Sequence, residues 1–164
     1  MDLNLFNAAS AEEAAAVLRP CVDIQRWIDQ IVQERPFSSV DELAAFAGRA
    51  AHPWSVEEID GALAHHPRIG ERAAGTSTEA GMSRREQAGV DQSGETARRI
   101  RAGNEAYEDK FGRVFLIRAA GRSAGEILAE LERRLGHSPE DELPVIAGQL
   151  REIAVLRLRG VLEA

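Results

Sequence analysis

The sequence predicts an all-α fold in one domain over residues 1–164, a compact bundle of about eight or nine helices. Apolar residues recur at helical spacing over most of the chain, and serines at the starts of these stretches provide N-cap signals. Strand signals are thin, because only residues 114–119 (VFLIRA) resemble a strand and a lone strand has no partner. We therefore expect this segment to be an extended connector or another helix.

Each predicted helix rests on a periodic stretch, a start signal, or both. One apolar set follows the i, i+3, i+4, i+7, i+8 pattern: Ile24, Trp27, Ile28, Ile31 and Val32. Three pairs have capping-box spacing: Ser39 with Glu42, Ser55 with Glu58, and Ser123 with Glu126. Ser138 followed by Pro139 is a further helix start. The predicted helices span 10–19, 22–33, 39–49, 55–64, 83–90, 94–110, 123–135 and 139–162.

The composition limits the classes of partner. With 27 acidic and 20 basic side chains, the formal net charge is −7, which disfavours a general nucleic-acid binder because phosphate is repelled. No apolar run approaches the ~20 residues that a membrane span needs, and the first residues lack the pattern of a secretion signal. Cys21, the single cysteine, cannot form an internal disulfide. We expect a soluble, cytoplasmic domain that binds neither nucleic acid nor membrane.

The irregular stretch 66–82, rich in Gly, Ala, Thr and Ser, is the first candidate for function. Loops of this length inside compact domains are usually functional or mobile. Pro67 disfavours helical geometry at His66, so the preceding helix should end at about His65 and present His66 at the mouth of the loop. Histidine exchanges protons near neutral pH. The alternative is a solvated histidine that interacts favourably with a helix C-terminus.

The segment Ser83-Arg84-Arg85-Glu86-Gln87 is the second candidate. Ser83 and Glu86 have capping-box spacing, which favours a structural role at a helix start. However, the polar Gln87 occupies the position where a hydrophobic staple needs an apolar residue. The segment therefore presents Ser, Glu and Gln together, and both interpretations stay open.

The last predicted helix carries an arginine within its apolar stripe. Seven residues form the stripe: Leu143, Ile146, Ala147, Leu150, Ile153, Ala154 and Val161. Arg157 projects inside it, whereas Arg151 and Arg159 project to its margin or beyond and are interpreted as surface charges. Because a guanidinium stays charged, an inward Arg157 needs a carboxylate or an anionic ligand. An internal ion pair and a stem that reaches the surface are the structural alternatives.

Asn104 lies in another predicted stripe, with Ile100, Tyr107 and Phe111. A buried amide needs hydrogen-bond partners, so this residue is either a core hydrogen-bonding group or a pocket group. We favour the core role.

Five motifs, taken in order, resemble those of one known family: His66-Pro67-Arg68-Ile69-Gly70, Ser83-x-x-Glu86-Gln87, Asn104-x-x-Tyr107-x-x-Lys110-Phe111-Gly112, Phe115, and Leu156-Arg157-Leu158. The chain resembles the 2-oxo-4-hydroxy-4-carboxy-5-ureidoimidazoline (OHCU) decarboxylases of urate degradation, and the resemblance spans most of its length. It implies an all-helical fold, commonly a homodimer. It also implies conversion of the small-molecule substrate OHCU to S-allantoin and carbon dioxide, with no metal or organic cofactor.

The resemblance further implies roles for individual residues. His66 corresponds to the catalytic proton donor, and Glu86 and Arg157 complete the catalytic set. The implied substrate-binding residues are Pro67, Ser83, Arg84, Arg85, Glu86, Gln87, Phe115, Leu116, Ile117, Arg118 and Ala119. Two positions depart from the family. Relatives often read Phe-Gly-Phe-Pro-Phe where this chain reads FGRVF at 111–115, and Arg118 stands where a small or apolar residue is common.

Two other functions are weighed from the residues alone. One is a non-enzymatic interaction module in which 39–65 resembles a helix-turn-helix, although 55–64 is not a basic recognition helix. The other is a metal-dependent hydrolase that uses His65, His66 and Glu86. Adjacent histidines lack the i, i+4 geometry of a helical metal site, and no third strong ligand is evident.

Overall fold

Helices account for all the regular secondary structure in the described residues, which are 1–71, 75–90 and 94–163 of this computed structural model. They are α1 (Leu3–Ala8), α2 (Ala11–Leu18), α3 (Gln25–Glu34), α4 (Val40–Ala47), α5 (Val56–Leu63), α6 (Thr78–Glu86), α7 (Gly94–Phe111), α8 (Ala124–Leu135) and α9 (Pro139–Glu163). The all-α prediction is confirmed. The short helix α1 is absent from the predicted set. None of the described helices is long and apolar enough to cross a membrane.

Side-chain caps begin several helices where the sequence predicts them. The pairs Ser55–Glu58 and Ser123–Glu126 both form complete capping boxes, in which each side chain accepts a backbone N–H from the partner residue. Ser39 caps α4 through its hydroxyl oxygen. Such N-caps each stabilise a helix by about 1 kcal/mol, which explains why these starts follow from local sequence.

The start of α6 differs from the prediction of a helix over 83–90. The helix begins at Thr78, and the Ser77 side chain accepts a backbone N–H of its first turn at 3.1 Å. Ser83 therefore lies inside the helix, and the capping-box interpretation of Ser83 and Glu86 is wrong. The cause is local: this segment contains glycine and threonine, whose low helix propensity hides the first turn.

The chain divides into two compact units, the first formed by Met1–Ala62 with Arg151–Ala164 and the second by Leu63–Leu150. The single domain over 1–164 stays a prediction. In the first unit, α3 packs against both α2 and α4. Its fully buried Trp27 donates from Nε1 to the carbonyl oxygen of Ala47 at 2.9 Å, which fixes α3 to the end of α4.

In the second unit, α7 packs along α8. The two helices approach closely at Gly103, where an added Cβ would lie 2.5 Å from Cδ2 of the buried Leu131. Residues 114–119 have no regular secondary structure, yet Phe115, Leu116 and Ile117 are buried. Of the two alternatives predicted for this segment, the structure shows a connector and not a helix, and the connector forms part of the core.

Candidate functional site

The segment His66–Gly70 leaves α5 at its C-terminal end. The helix ends at Leu63, and the His66 backbone N–H donates to the Leu63 carbonyl oxygen at 3.0 Å. His65 is exposed, whereas His66 is half-buried. The helix exit that Pro67 predicts is therefore confirmed, about two residues earlier than expected.

Two side chains from other helices hold the end of this segment. The Gly70 backbone N–H donates to Oε1 of Gln87 at 2.9 Å, and Nδ2 of Asn104 donates to the Ile69 carbonyl oxygen at 2.8 Å. Asn104 is 3% exposed, so its predicted hydrogen-bonding role in the core is confirmed. Gly70 adopts a φ of +88°, a conformation that glycine reaches without strain. These contacts join the histidine motif to the end of α6.

One face of α6 carries the second candidate motif. Ser83 and Gln87 are 3% and 7% exposed, and Glu86 is half-buried. Residues three and four positions apart share a helix face, so Ser83, Glu86 and Gln87 project together. Arg84 donates from Nη1 to the Gly75 carbonyl oxygen at 2.9 Å, and Arg85 is exposed. The assignment of these two arginines to the substrate site stays a prediction.

A cavity of about 520 Å³ opens beside His66 within the second unit. This volume is in the range of pockets that bind small molecules. Its wall comes from two stretches of chain: Leu63, Ala64, His66, Pro67, Arg68 and Glu71, then Glu108, Gly112, Arg113 and Val114. Arg113, one of the two departures from the family, thus lies in the same wall as the candidate proton donor.

The charges in this wall are largely paired. Arg68 donates to both carboxylate oxygens of Glu108, at 2.6 and 3.1 Å, and its Nη1 lies 3.8 Å from Glu71. The hydrogen bonds to Glu108 raise the pKa of the Arg68 guanidinium above its usual range. The Arg68 charge is therefore balanced by a carboxylate in the same wall.

The connector 114–119 is held from two sides. The Leu116 carbonyl oxygen accepts from Nη1 of Arg134 at 2.7 Å, and the Arg118 backbone N–H donates to Oε1 of Gln149 at 2.9 Å. Arg118 is half-buried and donates from Nη1 to the Ala120 carbonyl oxygen. The remaining side chains of the predicted segment, including Ala119, are buried.

Arg157 belongs to the first unit. It is 5% exposed and donates from Nη1 to the carbonyl oxygen of Pro20 at 3.0 Å. Its predicted inward orientation is confirmed. Arg159 forms an ion pair with Asp41 at 2.9 Å and retains 37% side-chain exposure, as expected for a surface charge.

The interpretation of Arg151 as an ordinary surface charge is wrong. Its Nη1 donates to the carbonyl oxygens of Gly48 and Ala50, both at 3.1 Å, and its Cζ lies 4.0 Å from the Trp54 ring centroid. Burial lowers the pKa of this guanidinium below its usual range. A helical projection assumes that a residue at the margin of an apolar stripe faces solvent. Here the carbonyl oxygens of the chain just after α4 contact the Arg151 side chain.

Sequence reasoning missed the most deeply buried charges of the second unit. Arg134 and Glu142 are 1% and 0% exposed. A signal existed for Arg134: it follows Ile127 and Leu131 at helical spacing on the buried face of α8, the same pattern that identifies Arg157. Glu142 gave no such signal, because acidic residues are common in the first turn of a helix.

Comparison with known proteins identifies the family. The OHCU decarboxylase family model matches residues 7–159, a range that includes every motif from His66 to Arg157. The chain belongs to the OHCU decarboxylase family. The similar solved structures include one described as OHCU decarboxylase in the presence of (S)-allantoin. It has a TM-score of 0.72 at 24% identity, over 95% of this chain and 100% of that chain, which supports the fold.

Curated relatives agree with this assignment. The 2-oxo-4-hydroxy-4-carboxy-5-ureidoimidazoline decarboxylase of Haloferax volcanii is 35% identical over 135 residues, 80% of this chain and 79% of that protein. The protein of the same name from Halalkalicoccus jeotgali is 31% identical over 158 residues, 93% and 87% of the two chains. The one from Mus musculus is 34% identical over 136 residues, 80% and 75% of the two chains.

Proposed function

We propose that this chain decarboxylates OHCU to S-allantoin and carbon dioxide, without a metal or organic cofactor. Family membership over residues 7–159 supports the reaction class. In this reaction the C–C bond to the carboxylate breaks and carbon dioxide leaves. The electron pair is delocalised into the ring, and the ring carbon that becomes the stereocentre takes up a proton.

His66 is the proton donor in this proposal. An imidazole can donate a proton near neutral pH, and a positioned donor determines which face of a planar intermediate is protonated. The half-buried side chain in the wall of a cavity suits this role, since it is accessible to a small molecule and partly shielded from water. The proton is recovered from solvent after each turnover.

The hydrogen bond between Gly70 and Gln87 is the observation that supports the proposal most directly. It joins the His66 segment to the Ser83–Gln87 face, two motifs that the family resemblance assigns to one substrate site. Because a backbone N–H must meet the amide oxygen, the orientation of the Gln87 side chain is defined. Its Nε2 is then the group that donates to a carbonyl oxygen of the substrate.

Glu86 and Arg157 complete the proposed catalytic set. Glu86 accepts from ring or ureido N–H groups, and it either orients His66 or disfavours the ground-state carboxylate of the substrate. The family resemblance assigns Arg157 to an anionic or carbonyl edge of OHCU. The backbone of 115–119 provides the second binding segment in the same proposal.

One assay tests the function against its alternatives. Freshly generated OHCU is mixed with protein pretreated with a chelator, and the circular dichroism of the allantoin is followed. We expect rapid formation of S-allantoin, with the same rate before and after chelation. A rate equal to the spontaneous reaction would overturn the proposal, and loss of activity only after chelation would favour the metal-dependent alternative. In the described residues, no three His, Cys, Asp or Glu side chains are grouped as metal ligands.

We further propose a cytoplasmic homodimer. The family resemblance supports this assembly, and sedimentation equilibrium at several protein concentrations measures it directly. A mass of one 17.9 kDa chain at all concentrations would contradict the dimer.

A further inference from the structure

The connector 114–119 is largely buried but has no regular secondary structure, and the proposed substrate-binding segment lies within it. Buried backbone without regular structure needs hydrogen-bond partners from elsewhere. Leu116 and Arg118 receive theirs from side chains of α8 and α9, namely Arg134 and Gln149. These two contacts hold the peptide groups on both sides of Ile117, in the middle of the proposed substrate-binding segment.

Arg134 is itself fixed in place by Glu142. Its Nε donates to Oε1 of Glu142 at 2.7 Å, and its Nη2 lies 2.5 Å from the same oxygen. Tyr107 also donates to this oxygen at 2.7 Å. The Arg134 Cζ lies 4.6 Å from the Phe115 ring centroid and 5.8 Å from that of Tyr107. The guanidinium therefore has a single orientation, with one edge on the carboxylate and Nη1 on the Leu116 carbonyl oxygen.

A buried ion pair of this kind is poorly explained by stability alone. Replacing such a pair with apolar residues of similar volume is often neutral or stabilising, because burial of both charges costs solvation free energy. The planar guanidinium offers what an apolar residue cannot, since it binds a carboxylate and a backbone carbonyl in two fixed directions.

We propose that Arg134 is a positioning residue of the decarboxylase, which acts through the Leu116 carbonyl to hold the 115–119 backbone in the geometry that binds substrate. Glu142 anchors Arg134, and Gln149 holds the other side of Ile117. This inference rests on the proposed function. Arg134 holds a binding segment and not the proton donor, so its loss weakens binding of the ground state and the transition state alike.

The test separates KM from kcat. In the double variant Arg134→Met/Glu142→Leu, both charges are removed, so neither is left unpaired. We expect a folded protein whose KM for OHCU rises about tenfold, with kcat within about threefold of wild type, because small displacements of positioning groups have large effects. A purely structural role would instead lower the concentration of active enzyme, which reduces apparent kcat and leaves KM unchanged.

Matched controls use the same helices and the same connector. Arg99→Met/Glu132→Leu removes a half-exposed ion pair between α7 and α8 and should leave both constants unchanged. Arg134→Lys keeps the positive charge but loses the planar guanidinium, whose donors point at both the carboxylate and the Leu116 carbonyl oxygen, so it should also raise KM. Gln149→Leu removes the second hydrogen bond without a buried ion pair, so it decides the question if the Arg134 variants do not fold.

Two outcomes are distinguishable. If wild type does not accelerate OHCU decay, the proposed function fails. If wild type is active and the folded Arg134 variants retain a wild-type KM, the positioning role is overturned and the proposed function stands. If the Arg134 variants do not fold, a wild-type KM of Gln149→Leu overturns it in the same way.

Discussion

Two ion pairs of the second unit differ in their exposure to solvent. In the wall of the cavity, Arg68 and Glu108 form an ion pair whose side chains are 50% and 27% exposed. Behind the connector 114–119, Arg134 and Glu142 are 1% exposed and contact each other, and Arg134 also binds the Leu116 carbonyl oxygen. A charge beside the cavity can therefore be changed at small cost in stability, whereas removing one charge of the buried pair leaves the other buried and unpaired.

Removing the proposed proton donor should give the largest effect on activity. We expect His66→Asn to abolish enantioselective formation of S-allantoin, because general acid catalysis contributes about 10²–10⁴-fold in rate. The half-buried side chain lies at the edge of the cavity, so the fold should persist. Circular dichroism of the product measures the first effect, and far-ultraviolet circular dichroism of the protein measures the second.

The matched control is His65→Asn, since His65 is exposed and adjacent in sequence. Its activity should equal that of wild type. Near-normal turnover by His66→Asn would remove His66 from the mechanism. The cavity wall would then have no proposed catalytic group to set it apart from the buried cluster.

The next largest effect is expected in the buried cluster. Glu142→Ala leaves the Arg134 guanidinium buried without its counter-charge and Tyr107 without its acceptor. Breaking one side of a buried pair costs about 3–5 kcal/mol of unfolding free energy. Urea unfolding monitored by tryptophan fluorescence measures this change. A loss no larger than that of an exposed ion pair would contradict the description of the cluster as closed to solvent.

Alkaline pH tests the same cluster through its tyrosine. Burial and the hydrogen bond to Glu142 raise the pKa of Tyr107 above its usual range. As pH rises past about 10, the unfolded chain therefore releases the phenol proton before the folded chain does. The stabilisation from Tyr107 is complete below that pH and is lost above it.

The measurement is direct because Tyr107 is the single tyrosine of the chain. We expect its phenolate absorbance near 295 nm to appear only together with unfolding. Titration of the folded protein with an ordinary tyrosine pKa would show that solvent reaches the cluster.

The smallest effect is expected for the ion pair in the cavity wall. Glu108→Gln should change the free energy of unfolding by no more than about 1 kcal/mol, because solvent screens an exposed pair. The same urea experiment compares it with Glu142→Ala. A loss of several kcal/mol would show that the two regions do not differ in the way their exposure indicates.

Much of the fold could be predicted from the sequence because the interactions responsible are local. The capping boxes at Ser55 and Ser123 each close within one helical turn, and they predict the starts of α5 and α8 correctly. The inward orientation of Arg157 follows from helical spacing alone. The wrong prediction for the start of α6 also has a local reason, because Ser77 caps the helix without the glutamate that completes a recognisable capping box.

The candidate site was only partly predictable. Sequence motifs single out His66 and the Ser83–Gln87 segment as candidates, and spacing puts three residues of that segment on one helix face. No local pattern joins Gly70 to Gln87 across 17 residues or Tyr107 to Glu142 across 35. The burial of Arg151 depends in the same way on carbonyl groups about 100 residues earlier in the chain.

Local sequence was enough to establish the helical class, most helix starts and the candidate residues for the chemistry, because caps and periodicity act within a few residues. The packing of distant segments determines which of these residues meet and which charges are buried. Arg134 and Arg157 have the same sequence signature, an arginine in an apolar stripe. The folded chain alone shows that the first pairs with Glu142 and holds the connector at Leu116, because such contacts form only when distant segments pack together.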